Sequence, residues 1–346
     1  MSGQRIVCGV FLYKALRLPL TMNSQSKATA RANIALIKYW GKADSSMNIP
    51  AAGSISITLD ALCSETVVSF KESLSADELS LDGESRPEYV PRISRFLDIL
   101  RERADIKTRA SVTSKNNFPL GAGLASSASG FAALAAAASA ALRLEISPRE
   151  LSIVARQGSG SAARSVFGGF VEMHADRSRD GEGSFAEPLL ESSAWHLEVV
   201  IALTDRSEKA VGSRQGMNRS AATSPYYVAW LDASAKDLER GRDAILNRDF
   251  KTLADVAQSN CLKMHSVAMT TQPALMYWNG ATVECIRAIQ KLQQDGVPVF
   301  FTIDAGPQVK AVCESSALQH VASTLRAVFG VKEVILSGLG AGVEWG

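Results

Sequence analysis

The sequence predicts a mixed α and β fold in two domains. Strand-like and helix-like periods interleave along the whole chain, and no repeat of fixed period is visible. The pattern begins afresh with an apolar strand near residue 197. A length of 346 residues allows one large domain or two ordinary ones, and this restart favours two.

Taken in order, residues 28–38 read as a strand feeding a loop. Residues 54–62 and 65–71 are two β-rich runs, and 108–113 is another short strand. Residues 92–103 are helical, with Ile93, Phe96, Leu97 and Leu100 on one face. Segment 124–142 is long enough to span a bilayer, but it is mostly Ala with Ser126, Ser127, Ser129, Gly130 and Ser139. Ala transfers poorly into lipid and is the best helix former, so a buried helix of a soluble domain is expected. Ser147, Pro148 and Glu150 form a helix start: a cap, a first-turn proline and a capping-box glutamate. Gly168-Gly169 closes that segment and 170–173 reads as a strand. Beyond the restart, 197–204 is a strand of buried type, and helices follow over 226–247, 250–265 and 282–294. Strands are expected at 299–303 and 334–337.

Composition limits the function classes. Hydrophobic residues make up 46% and charged residues 21%, which excludes a disordered chain. A net charge of +2 without a basic stripe argues against nucleic-acid binding. The positive field that an anionic ligand needs must then be local. Cys8, Cys63, Cys261, Cys285 and Cys313 are odd in number and never spaced as CxxC. They are expected to be buried free thiols in a reducing compartment. Residues 1–22 hold a short apolar run broken by Lys14 and Arg17, too short for a membrane span and lacking a signal-peptide cleavage site.

Four segments carry candidate chemistry. In residues 116–128, a Gly-rich turn runs into a long helix. Free backbone N–H groups and the helix dipole there make an anion site, and Ser126 and Ser127 add hydroxyls for phosphate or Mg²⁺. No Gly-Lys-Ser/Thr follows, so it is not a Walker loop, and Ser126 replaces the third Gly of a dinucleotide fingerprint. In residues 33–42, an apolar strand ends in Lys38, Tyr39, Trp40 and Lys42. Lysines can clamp phosphate oxygens and Tyr39 can donate a hydrogen bond, although a surface loop with solvated lysines explains the segment better when it is taken alone. In residues 156–164, Ser159, Ser161 and Arg164 converge on a short turn, where Arg164 can hold a carboxylate bidentately. Ser213 and Arg214 offer a further hydroxyl and cation. Asp304 ends an apolar strand before a Gly-Pro turn, placed either to face a cleft or to cap a turn.

Together these segments resemble the diphosphomevalonate decarboxylase family of the GHMP kinase superfamily. The matching pieces are NIALIKYWGK at 33–42, GLASSASGFAALAAA at 123–137, ARQGSGSAARSVFGGF at 155–170, SRQGM at 213–217, MHS at 264–266 and FTIDAGPQVK at 301–310. Two places depart from the family pattern: Ala51-Ala52-Gly53 after Pro50, and Leu120-Gly121 in the glycine loop.

The resemblance implies two α+β domains, 27–196 and 197–346, with the active cleft between them. Residues 1–26 would be an extension, disordered or artefactual, with a targeting segment as the weaker alternative. It implies ATP, Mg²⁺ and a homodimer, while the cysteines, charge and hydropathy lead to the expectation of a cytoplasmic protein with no membrane and no nucleic-acid partner. The activity would be decarboxylation of mevalonate 5-diphosphate to isopentenyl diphosphate, with ADP, phosphate and CO₂. By position, Tyr39, Lys42, Ser159 and Arg214 would hold the diphosphate. Ser161, Arg164 and Ser213 would position the carboxylate and C3. Ser114 and Ser126 would contact ATP phosphates and Mg²⁺, with Gly121, Gly123, Leu124, Ala125 and Ser127 completing the ATP loop. Asp304 would address the tertiary 3-hydroxyl, and Lys38 would add positive charge beside it. The alternatives are a same-fold enzyme acting on mevalonate 5-phosphate, a mevalonate 3-kinase, or a non-catalytic ligand-binding homologue.

Overall fold

Alternation builds the first strand. In β1 (Asn23–Ile37), residues Ala28, Ala30 and Ala32 point to the core, with less buried residues between them. From Ala32 onward every residue is buried, because the strand then runs between two layers and both its faces are covered. The protein is described here from a computed structural model covering residues 23–119, 123–124, 126–176, 180–207 and 209–346. The strand thus begins at Asn23, inside the span 1–26 expected to be a disordered extension. Residues 23–26 pair with Val68–Lys71, and the Ser26 hydroxyl donates to the Gly346 carbonyl. Residues 1–22 lie outside the described residues.

Two short strands, β2 (Lys42–Asp44) and β3 (Ile49–Pro50), pair beside the end of β1. The runs at 54–62 and 65–71 are one continuous strand, β4 (Ser54–Lys71). Its early part pairs with β8 (Phe170–Met173), and its later part with β7 (Arg109–Asn116). Strands β5 (Glu78–Leu81) and β6 (Glu84–Ser85) extend the sheet beyond β7, and β9 (Ala186–Leu190) joins β8. The chain end returns as β14 (Glu344–Trp345) against Ala28 and Thr29 of β1.

Helices α1 (Val90–Ala104), α2 (Ser126–Ala141) and α3 (Pro148–Gly158) cover this sheet. Helix α2 buries most of its residues, including an unbroken Ala132–Ser139 run. Alanine side chains let it lie close to β1 and β4 on one side and α3 on the other. Among the described residues no helix is long and apolar enough to cross a membrane. The predicted capping box is present: the Ser147 hydroxyl accepts from the Glu150 N–H, and the Glu150 carboxylate accepts from the Ser147 N–H.

The second sheet is antiparallel, in the order β11 (Val299–Ile303), β12 (Val309–Glu314), β10 (Leu197–Leu203), β13 (Glu333–Ser337). Helices α7 (Gly280–Gln294) and α8 (Leu318–Arg326) pack on one face. On the other, α5 (Tyr227–Leu246) and α6 (Phe250–Met269) share one apolar core with β1 and β4. Helix α4 (Ser213–Thr223) stands at the edge of the cleft. The sequence reading did not give β5, β9, β12, α4 or α8. All four described cysteines are free, and Cys261, Cys285 and Cys313 are buried as expected.

Candidate active site

A cleft of about 720 Å³ is lined by residues of both halves. Lys38, Tyr39, Lys42, Ser114, Gly123, Ser126, Ser127, Ser159, Ser161, Arg164, Ser213, Arg214 and Asp304 all border it. Leu124 does not: its side chain is buried in the core shared by the two sheets. Gly121 and Ala125 lie outside the described residues.

The centre of the site is Asp304, immediately after β11. Its carboxylate accepts from Lys38 Nζ at 2.8 Å and faces Lys310 Nζ at 3.4 Å. Both lysine side chains are 2% exposed, whereas that of Asp304 is 25% exposed toward the cleft. Burial works to raise the Asp304 pKa, but the two ammonium groups outweigh it and hold the carboxyl well below the usual range. The turn-capping alternative fails because the side chain spends its acceptors on lysines. The surface-loop reading of 33–42 fails too: Lys38 and Trp40 are buried, and Trp230 Nε1 donates to the Trp40 carbonyl at 3.0 Å.

Helix α6 holds this centre from behind. Asn260 Oδ1 accepts from the Lys38 N–H at 2.7 Å. Cys261 Sγ accepts from the Ile303 N–H at 3.2 Å, and His265 Nε2 lies 3.1 Å from the Ile303 carbonyl. Burial pulls the His265 pKa down to about 3, so the ring is neutral and donates there.

Beside Asp304, Arg164 is 2% exposed and donates to Ser54 Oγ and to Asn33 Oδ1, the latter at 3.3 Å. Burial lowers its pKa to about 10 against the opposing charge of Asp304, so it stays cationic at neutral pH. Tyr39 Oη is enclosed with no hydrogen-bond partner among the described residues. Burial raises its pKa, so it remains a phenol and a donor. Gly160 makes room for that ring, because a Cβ there would sit 2.2 Å from Tyr39 Oη. Ser127 Oγ lies 3.4 Å from Ser159 Oγ, which lies 3.4 Å from Ser161 Oγ. Hydroxyls therefore run from the α2 N-terminus to the 159–164 turn. Arg156, by contrast, is a structural pin: it is fully buried and donates to the Gly181 and Ser184 carbonyls.

Toward solvent stand Lys42, Arg92 and Arg214. Burial, then repulsion by Arg214 and Arg92, pulls the Lys42 pKa down to about 8. Burial, then Arg214, lowers Arg92 to about 10. Lys209 Nζ donates to Ser213 Oγ and to the Ala305 carbonyl, each at 2.9 Å. The Ser114 hydroxyl is paired with Thr66 at 2.9 Å, and the cleft lining also includes apolar Leu79, Leu81, Ile93, Val112 and Phe131, with the Arg92 guanidinium over the Phe131 ring.

Sequence reasoning missed Asn33, Asn48, Arg92, Lys209 and Lys310. Two of these left a signal. Lys310 interrupts an apolar strand, and Arg92 puts a cation in the first turn of α1, where the helix dipole disfavours it.

A helix N-terminus opening beside a lysine-flanked carboxylate, between two α+β units, defines a two-domain protein of the GHMP kinase type. Comparison with known families makes the class specific. Residues 30–186 match the diphosphomevalonate decarboxylase-like N-terminal domain, and residues 199–339 match the mevalonate 5-diphosphate decarboxylase C-terminal domain. The diphosphomevalonate decarboxylase of Candida albicans is 35% identical over 320 residues, 88% of either chain. A solved structure of MDDEF in complex with MVAPP, AMPPCP and magnesium superposes with a TM-score of 0.88 at 39% identity, covering 94% of this chain and 99% of the other. A structure of the mevalonate diphosphate decarboxylase from Enterococcus faecalis, described for mevalonate diphosphate-mediated ATP binding, gives 0.87 at 38% identity over the same shares. The chain belongs to the diphosphomevalonate decarboxylase family.

Proposed function

We propose that this protein decarboxylates mevalonate 5-diphosphate at the expense of ATP, giving isopentenyl diphosphate, ADP, phosphate and CO₂. The observation that carries this reading is the carboxylate of Asp304, held ionised between Lys38 and Lys310 in the same cleft as buried Arg164 and the α2 N-terminus. The substrate's 3-hydroxyl is tertiary and a poor leaving group until phosphorylated. Asp304 accepts a hydrogen bond from it and aims its oxygen at the γ-phosphorus. A carboxylate with so low a pKa is a weak base, so it takes the proton only as the new P–O bond makes that oxygen acidic. ADP leaves, and the 3-phosphate then departs with the C–O electron pair. The bond between the carboxylate carbon and C2 breaks, CO₂ leaves, and its electrons form the C2–C3 double bond. Arg164 holds the carboxylate in plane during that step. Tyr39, Lys42, Ser159 and Arg214 grip the diphosphate, while Ser161 and Ser213 flank C3.

The apolar part of the lining, with Leu79, Ile93, Val112 and Phe131, suits the adenine of ATP. Among the described residues no cluster of three or more His, Cys, Asp or Glu side chains could cage a metal. Mg²⁺ would keep its waters and bind mainly through substrate phosphates, with the Ser126 hydroxyl at the start of α2 as the protein's ligand. When bound, Mg²⁺ neutralises charge on the phosphate oxygens. The domain division at 196/197 rests on the two sheets and the two family matches, although β14 returns the last residues to the first sheet. A cytoplasmic homodimer completes the reading.

The test is to incubate the protein with ATP, Mg²⁺ and, separately, mevalonate, its 5-phosphate and its 5-diphosphate, and to measure CO₂ and ADP together. Equal yields from the diphosphate are expected. ADP without CO₂ would make it a 3-kinase, and preference for the monophosphate would change the substrate.

A further inference from the structure

Lys310 touches two parts of the site that come from opposite halves of the chain. Its ammonium donates to the Gly123 carbonyl at 3.1 Å and faces Asp304 Oδ2 at 3.4 Å. The Cα of Gly306, two residues past Asp304, lies 3.3 Å from where a Gly123 Cβ would be. Gly123 has φ +79°, so glycine is suited both to that backbone and to that close approach. The phosphate turn and the Asp304 turn therefore meet across the cleft, and one buried lysine fastens them together.

Charge accounting says why a lysine stands there. Salt bridges to Lys38 and Lys310 leave the three-residue group with one positive charge in excess. Tethering alone would need only a neutral donor. An ammonium also keeps Asp304 ionised and leaves the surplus charge beside the helix start where a γ-phosphate would arrive. Thr302, paired opposite Lys310 in the β11–β12 hairpin, donates to the Ala35 carbonyl at 2.9 Å, which fixes the hairpin to β1. The ammonium is thus aimed by a rigid element.

We propose that Lys310 is a positioning residue for phosphoryl transfer. It sets the distance between the phosphate turn and Asp304 and keeps that carboxylate charged. This rests on the decarboxylase reading for its kinetic arm only. The groups facing Asp304 are Lys38 just after β1, Lys310 from β12, Arg164 from the 159–164 turn, and neutral His265 with Cys261 from α6.

Two variants test it. Lys310→Met removes both charge and donor, while Lys310→Gln keeps a donor for Gly123. Binding of AMPPCP with Mg²⁺, read by calorimetry, needs no turnover. It should weaken about tenfold in Lys310→Met and less in Lys310→Gln, as expected for a misplaced anion site. Affinity for mevalonate diphosphate should change less than about threefold. In the kinetic arm, kcat should fall roughly a hundredfold in Lys310→Met. Both variants should gain an acidic limb in kcat nearer the ordinary carboxylate pKa of about 4, because one of the two charges depressing Asp304 is gone. Parental AMPPCP affinity in both variants overturns the tether. Reduced kcat with the parental pH profile overturns the charge role and leaves ordinary packing. If the parent fails to turn over mevalonate diphosphate, the decarboxylase reading fails, and the AMPPCP arm still decides on Lys310.

Discussion

The centre and the mouth of the cleft use cations in opposite ways. At the centre, Lys38 and Lys310 are nearly sealed from solvent and share one carboxylate. At the mouth, Lys42, Arg92 and Arg214 stand closer to solvent, and no carboxylate among the described residues pairs with any of them. The centre is organised before substrate arrives, since its charges already have partners and its backbone is held by α6. The mouth awaits an anion: burial first, and then repulsion by Arg214 and Arg92, brings Lys42 down to about 8. One region is built for geometry and the other for capture, so substitutions should act on different kinetic constants.

The sharpest way to break this comparison is Asp304→Asn. The amide keeps the size but cannot take the proton, and a general-base or orienting carboxylate contributes about 10²–10⁴-fold. Turnover should fall at least about a hundredfold while ATP and substrate still bind. Two buried lysines then lose their counter-charge, so the melting temperature should also fall. Melting and ligand binding must be read on the same preparation. Turnover within a few-fold of the parent, in a folded protein, would remove the central residue of the mechanism.

Arg164→Lys comes next. Charge is kept, but the planar fork that reaches Ser54 and Asn33 is lost. We expect kcat to drop by roughly ten- to a hundredfold, with AMPPCP affinity nearly unchanged. Near-normal turnover would mean that orientation of the carboxylate does not depend on the fork.

At the mouth the effect should appear in KM. Lys42 is protonated below a pKa of about 8 and neutral above it, and only the ammonium attracts a diphosphate. KM for mevalonate diphosphate should therefore be level up to about pH 8 and rise beyond it, toward about tenfold once the charge is gone. The kcat should move less, because a bound anion raises the lysine's pKa. Lys42→Arg should flatten the rise. An unchanged limb in that variant would place the titration elsewhere.

The same contrast explains what was legible in the sequence. Local features were readable: the Ser147 capping box, the Ala-rich helix, and Asp304 at a strand end. So were Lys38, Tyr39 and Lys42 once a family pattern tied them together, although taken alone they read as solvated. What failed were features set by partners far along the chain. Lys310 reaches Gly123, and Arg164 reaches Asn33 and Ser54, contacts between residues more than a hundred positions apart. Leu124 was assigned to ATP as part of the glycine-loop motif, but its side chain lies in the core. Strand β4 looked like two runs because Cys63 and Ser64 interrupt the apolar pattern, yet the backbone pairs through both.

The smallest effect is expected farthest from both regions, at the start of β1, and it serves as their control. A chain starting at Met22 keeps every described strand residue and should match the parent in melting temperature and kcat. A chain starting at Ala28 loses residues 23–27, which pair with Val67–Lys71. It also loses the Ser26 bond to the Gly346 carbonyl and the Ser24 bond to the Ala141 carbonyl at the end of α2. Net hydrogen bonds are worth about 0.5–1.5 kcal/mol each, so the shorter chain should melt several degrees lower. Its kcat at a temperature where it stays folded should be unchanged, because the same strand delivers Lys38 from its other end, where Asn260 and the Ala35 carbonyl still hold it. A lower melting temperature in the Met22 chain would show that residues 1–21 stabilise the domain. A lower kcat in the Ala28 chain would show that the centre is less rigidly held than its hydrogen bonds imply.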